Sequence, residues 1–140
     1  MSARDRFHDA VRHALEKDGW VITDDPLYIS TGGMEYFIDL GAEFLLGAER
    51  NGEKIAVEIK SFLGQSATTE FHSAFGQYLE YRTALRETKS ERTLYLAIPA
   101  DIDDTLFQRP FIQGLLQEYQ CNVLVYHPKN EVIVTWKMTK

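Results

Sequence analysis

An α/β (α+β) fold, with a single central mixed β-sheet flanked by helices, is what this chain predicts, on three observations. Apolar residues switch between helical and strand periods in the order helix, three or four strands, helix, strand, helix, two strands. Two apolar runs flank Arg50-Asn51-Gly52-Glu53, and Asn-Gly favours the left-handed residues of a tight hairpin. The 140 residues, 44% apolar and 12% aromatic, are enough to bury one core, so residues 1–140 are expected to form one domain. No repeat, low-complexity tract or linker divides them.

Each element has its own warrant. Residues 3–17 place Phe7, Val11, Ala14 and Leu15 at helical spacing, and Asp18-Gly19 stops the helix. Residues 20–23 are β-prone until Asp24-Asp25-Pro26, where proline cannot donate to a ladder. A loop carrying Thr31-Gly32-Gly33 leads into a strand over 35–40, and residues 44–61 form the hairpin. Residues 66–87 contain no proline and carry Phe71, Phe75, Tyr78, Leu79 and Leu85 at helical spacings, which predicts the longest helix. A strand over 92–98 ends at Pro99, and 104–119 reads as a helical region with Pro110 as its break. Strands over 122–126 and 131–137 follow, joined by a turn at His127-Pro128-Lys129-Asn130.

Composition excludes several classes of function. No apolar run is long enough to cross a bilayer and residues 1–5 carry no signal-peptide stretch, so no membrane partner and a cytoplasmic location are expected. The one cysteine, Cys121, is followed by Val123 and Val125 and reads as a small core residue. His8, His13, His72 and His127 lack the spacing of a zinc site. A formal charge of -6 argues against a domain that coats nucleic acid electrostatically, since Lys and Arg supply most non-specific affinity. Bound divalent cations or a basic partner would offset that charge locally.

The chemistry-bearing residues gather around the hairpin. Period-two alternation sends Ile55, Val57 and Ile59 to one face and Lys54, Ala56, Glu58 and Lys60 to the other. By itself an arbitrary Glu-x-Lys is better explained by a half-exposed strand with a salt-bridged outer face. The preceding strand adds Asp39, after Phe37-Ile38 and before Gly41. Two carboxylates and an ammonium on one side of a sheet suit a hard cation, Mg²⁺ or Mn²⁺, with Asp39 and Glu58 as ligands and Lys60 orienting a nucleophile or stabilising a phosphorane-like transition state. Glu43 and Glu49 are further carboxylates that could join them or simply flank the hairpin in solvent.

Ile38-Asp39 followed by Glu58-Ile59-Lys60 resembles the PD-(D/E)XK nuclease superfamily, with Ile38 where the motif's name has proline. Gln77 and Tyr81 reproduce the Q-x-x-x-Y spacing of some nuclease branches, one helical turn apart. The alternative for that pair is a helix surface with a packed tyrosine. At whole-chain level, Gly19-Trp20, Asp25-Pro26-Leu27-Tyr28, the run from Tyr36 to Glu43, the run from Asn51 to Phe62, and Pro110-Phe111-Ile112-Gln113 are similar to the XisH family of fdxN element excision controlling factors.

The resemblance implies a restriction-endonuclease-like core and a catalytic set of Asp39, Glu58, Lys60 and Gln77, with Asp39 and Glu58 on the metal. It implies DNA as substrate or ligand, an XisI-like protein partner, and an indirect relation to a site-specific recombinase. Either a metal-dependent endonuclease or a non-catalytic accessory factor of the same fold is compatible with it. A homodimer would match the two-fold symmetry of duplex DNA. Some superfamily members carry an acid on the first helix, for which Asp9 and Glu16 are the candidates here. Tyr28, Phe62, Phe107, Phe111 and Trp136 are the aromatic candidates for a partner surface.

Overall fold

The computed structural model describes residues 3–31, 34–36, 44–64 and 66–138. Helix α1 (Ala3–Lys17) leads into β1 (Val21–Asp24), β2 (Ile29–Thr31), β3 (Met34–Tyr36) and the hairpin β4 (Phe44–Arg50) and β5 (Glu53–Ile59). Helix α2 (Ala67–Glu87), β6 (Thr93–Pro99), α3 (Ala100–Asp104), a 3₁₀ turn (Leu106–Gln108), α4 (Pro110–Glu118), β7 (Val123–His127) and β8 (Val132–Lys137) complete the order. Six strands form one mixed sheet in the order β1-β4-β5-β6-β7-β8, as expected. The strands β5, β6 and β7 run parallel, and the other neighbours are antiparallel. Among the described residues no helix is long and apolar enough to cross a membrane.

Local chemistry accounts for the element ends. Helix α1 closes with Gly19 at φ 89, the Gly19 amide donating to the Glu16 carbonyl and the Trp20 amide to the Leu15 carbonyl. That is a Schellman motif, and Leu15 and Trp20 share one apolar cluster as the motif favours. The hairpin pairs Arg50 with Glu53, leaving Asn51 at φ 52 and Gly52 at φ 83 as its two-residue turn. Positive φ at both positions is the type I′ geometry that matches strand twist. Ser66 caps α2, its hydroxyl accepting from the Thr69 amide at 3.2 Å.

Two expectations are corrected and a third is met over the described residues. The stretch read as a loop through Thr31 contains β2, which pairs with β3 as a ribbon separate from the main sheet. Its three residues are too few for a period to be visible. Of the strand expected over 35–40, β3 contains 35 and 36, and residues 37–40, including Asp39, lie outside the described residues. The helical region expected over 104–119 begins earlier, at Ala100, and its expected break falls at extended Arg109, after which Pro110 opens α4. Proline at the first helical position loses no hydrogen bond, because that amide has no partner within the helix.

The sheet divides two cores. Helix α1 supplies Ala10, Val11 and Leu15 to one face, against Val57 and Ile59 of β5, Tyr95 and Ala97 of β6, and Leu124 and Tyr126 of β7. Both parallel crossovers lie on the other face, where Phe71, Ala74, Tyr78 and Tyr81 of α2, with Leu106, Phe107 and Ile112, cover Ala56, Leu96, Ile98 and Val125. Covered on both sides, the parallel strands are buried almost without break. On the α2 side of β4, Gly47 is required by close approach: a Cβ there would lie 2.9 Å from both the Arg92 guanidinium and the Asp24 carboxylate. That ion pair, at 2.8 Å, ties the start of β6 to the edge strand β1.

Candidate functional site

Glu58 and Lys60 sit where β5 leaves the sheet. Glu58 pairs with Leu45 of β4 and Leu96 of β6, and both neighbours point into the α2-side core. The alternation expected from the sequence holds: Ile55, Val57 and Ile59 face α1, and Ala56 faces α2. Lys60 continues the strand by two residues, its amide donating to the Ala97 carbonyl at 3.1 Å. The Lys60 carbonyl accepts from the Tyr126 hydroxyl at 3.4 Å. The chain enters β4 at Phe44, opposite Ile59, so this end of the sheet is also where β4 begins. Asp39 and Glu43, which precede Phe44 in the chain, lie outside the described residues.

Burial separates this pair from an ordinary surface Glu-x-Lys. Glu58 is 1% exposed and Lys60 is 5% exposed, so the half-exposed strand with a solvated outer face is not what forms. Removing a carboxylate and an ammonium from water costs several kcal/mol each, by order of magnitude, which packing alone never requires. Glu58 also fills core volume. Glu58→Ala would therefore open a cavity as well as remove a charge, and Glu58→Gln is the substitution that isolates the charge.

The wall above Glu58 is built by α2. Its buried stripe, Phe71, Ala74, Tyr78, Tyr81 and Leu85, follows helical spacing. The Tyr78 hydroxyl donates to the Leu94 carbonyl at 3.2 Å and accepts from the Asn122 amide at 2.9 Å, bridging the starts of β6 and β7. Burial pushes the Tyr78 phenol up to about 12, and the negative charge of Glu58 adds to the rise. Burial likewise pushes the Cys121 thiol up to about 11, again with a contribution from Glu58. Cys121 is a buried core residue, as its sequence context suggests.

Gln77 lies on the shoulder of the α2 stripe, half-buried, and Tyr81, one turn later, is packed in the core. Glu49 pairs with Lys54 near the hairpin turn, about 13 Å along the strand from Glu58, so the structure does not bring it to the pair. Helix α1 covers the opposite face, where Asp9 is half-buried beside His8 and Glu16 is exposed; neither joins Glu58. Among the described residues no three His, Cys, Asp or Glu side chains gather as a metal site. The aromatic candidates separate cleanly. Tyr28 and Phe111 are exposed, at 65% and 74%, Phe62 and Phe107 are core, and Trp136 is half-buried between Trp20 and Tyr95.

Two features of the site escape sequence reading. Tyr78, between the singled-out Gln77 and Tyr81, is the residue of that run held by two hydrogen bonds. Its signal was the apolar stripe, which runs through 78 and leaves 77 at the flank. The other is Phe62, which adopts φ 57 two residues beyond Lys60, a conformation nothing in its side chain favours. The left-handed region costs a non-glycine residue about 1–2 kcal/mol. Burying a phenylalanine side chain contributes about 1.5–3 kcal/mol, so ring burial outweighs the strain. The ring is 8% exposed and stands edge-on to Phe107, centroids 6.1 Å apart.

The family model for XisH protein matches residues 1–134. Two crystal structures are similar across nearly the whole chain. An XisH family protein from Nostoc punctiforme is 50% identical with a TM-score of 0.88, over 95% of this chain and 99% of that one. An fdxN element excision controlling factor protein from Anabaena variabilis is also 50% identical with a TM-score of 0.88, over 96% of this chain and 99% of that one. No curated protein matches the chain.

Proposed function

From the premise that the chain belongs to the XisH family, we propose that it is a DNA-element excision controlling factor built around a PD-(D/E)XK-type, metal-dependent endonuclease site. The observation that carries this reading is the burial of Glu58 and Lys60 together at the C-terminal end of β5. In α/β sheets the carboxyl ends of parallel strands are where ligands bind. The Anabaena variabilis relative, described as an fdxN element excision controlling factor, supports the DNA context.

In this reading Glu58 and Asp39 hold Mg²⁺ or Mn²⁺. Glu58 contributes one hard oxygen donor, which suits either ion, and Asp39 supplies the second carboxylate from the segment ahead of β4. When bound, the cation supplies Lewis-acid stabilisation of the scissile phosphate and lowers the pKa of a water. Lys60 acts as a fixed cation beside the attacking water, held there because its backbone is tied to both Ala97 and Tyr126. Gln77, on the shoulder of α2, is the neutral donor and acceptor in this reading.

The net charge of -6 favours a second reading, a non-catalytic accessory factor of the same fold that contacts DNA through an XisI-like partner and serves a site-specific recombinase. The test is cleavage of supercoiled and branched DNA with Mg²⁺ or Mn²⁺, with and without an XisI-like protein, comparing wild type with Lys60→Ala. Cutting that the variant loses supports the endonuclease. Absence of cutting in every condition, with partner binding retained, supports the accessory factor.

A further inference from the structure

The short connector between β5 and α2 carries two unlike features. Phe62 holds a left-handed backbone where a glycine would sit without strain, and its ring is buried. The ring stands edge-on to Phe107, which stands edge-on to Phe71 at the start of the second turn of α2, centroids 5.7 Å apart. On the other side of the connector, the Gly64 amide donates to Glu70, in the first turn of α2, at 3.2 Å. Between Phe62 and the sheet stand Lys60 and Ser61, both buried. Leu63, the next residue, is 45% exposed, so the chain emerges immediately after the anchor.

We infer that Phe62 is a positioning residue for the Glu58 and Lys60 pair, its ring pinning the exit of β5 to Phe107 and α2 so that Lys60 stays in register with β6. The catalytic meaning of that pair rests on the proposed function; the positioning itself does not. A glycine would satisfy the backbone and leave the exit free to fray. The strain is kept because the anchor needs the ring, and strain of this kind persists only where surrounding packing over-determines it. The residue that is fixed is Lys60, whose amide donates a hydrogen bond to the Ala97 carbonyl and so continues the β5–β6 pairing beyond Ile59.

Amide hydrogen exchange on the whole chain tests this, with Phe62→Gly, Phe62→Leu and wild type compared at Lys60 and at Val57. Phe62→Gly is expected to speed exchange at the Lys60 amide by about tenfold or more relative to Val57, because the opening is local. Phe62→Leu, which keeps a buried apolar side chain, is expected to recover most of the protection. Equal acceleration at both amides, or none at Lys60, would overturn the inference and leave Phe62 as core packing. Mn²⁺-induced line broadening around Glu58 separates the two claims. Broadening in wild type that weakens in Phe62→Gly joins positioning to metal binding. If Mn²⁺ broadens nothing in wild type, the metal reading fails, while hydrogen exchange still decides the positioning.

Discussion

The two faces of β5 are buried alike and built differently. Val57 and Ile59 enter a hydrophobic layer under α1 that includes Tyr95 and Tyr126, whereas Glu58, between them in sequence, faces α2, where its charge is felt by Tyr78 and Cys121, and buried Lys60 follows at the strand's exit. The strand, the sheet and the degree of burial are the same, so neither β-propensity nor position explains the difference. The apolar face performs the structural task, since a transfer gain of roughly 25 cal/mol per Å² needs no charge. The charged face spends part of that gain on desolvating ionic groups, and such an expense inside a core points to function.

Putting a charge on the apolar face should have the largest effect. Ile59→Lys would bury an ammonium among Leu124, Tyr126 and Ala97 and is expected to lose about 4 kcal/mol or more, enough to abolish cooperative unfolding in urea in a domain of ordinary stability. Removing both charges from the other face should do the reverse. The double variant Glu58→Gln, Lys60→Met preserves volume and is expected to be neutral or stabilised by about 1–2 kcal/mol, and to lack the proposed metal-dependent activity. A double variant as damaged as Ile59→Lys would mean that the pair is structural.

High pH acts on both faces next, because burial raises the Tyr95 phenol on the α1 side as well as Tyr78 on the α2 side. The folded-state pKa of Tyr78 stands above its ordinary value of 10.0, so the unfolded chain ionises first and gains stability relative to the fold. The contribution is whole below pH 10 and lost as pH rises towards about 12, a loss of about 3 kcal/mol for a shift of about two units. Cys121 adds a similar decline from pH 9 to about 11. Urea titrations between pH 8 and 11.5 should show this decline in wild type and a shallower one in Tyr78→Phe. Tyr78→Phe itself should lose about 1–3 kcal/mol at pH 7, because the Asn122 amide is left without its acceptor.

Much of this was legible in the sequence where the signal was local. The hairpin followed from Asn51-Gly52, since positive φ at two successive residues leaves few choices of side chain. The facing of Glu58 followed from a period of two, and α1 from periodicity closed by Gly19. What was not legible depended on distant neighbours. Strand β2 exists because β3 returns beside it. The depth at which Glu58 and Lys60 are buried depends on α2 and both crossovers lying on one face. Phe62 was unreadable because a phenylalanine carries no sign that its backbone is left-handed.

The smallest effects lie at helix ends remote from both faces. Helices α2 and α4 end in Schellman motifs whose left-handed residues are Lys89 at φ 58 and Gln120 at φ 53. Lys89→Gly and Gln120→Gly are each expected to stabilise by about 0.5–1 kcal/mol, read as a rise in the urea midpoint, because glycine removes the Cβ strain.

The most direct measurement of the central claim is the thermal unfolding midpoint of wild type and Glu58→Gln against Mn²⁺ concentration. A ligand that binds only the folded state raises stability by about 2.7 kcal/mol at a hundredfold excess over its dissociation constant. The midpoint of wild type is expected to climb with Mn²⁺ and that of Glu58→Gln to stay level. Equal climbs, or no climb in wild type, would contradict a metal site at the charged face of β5.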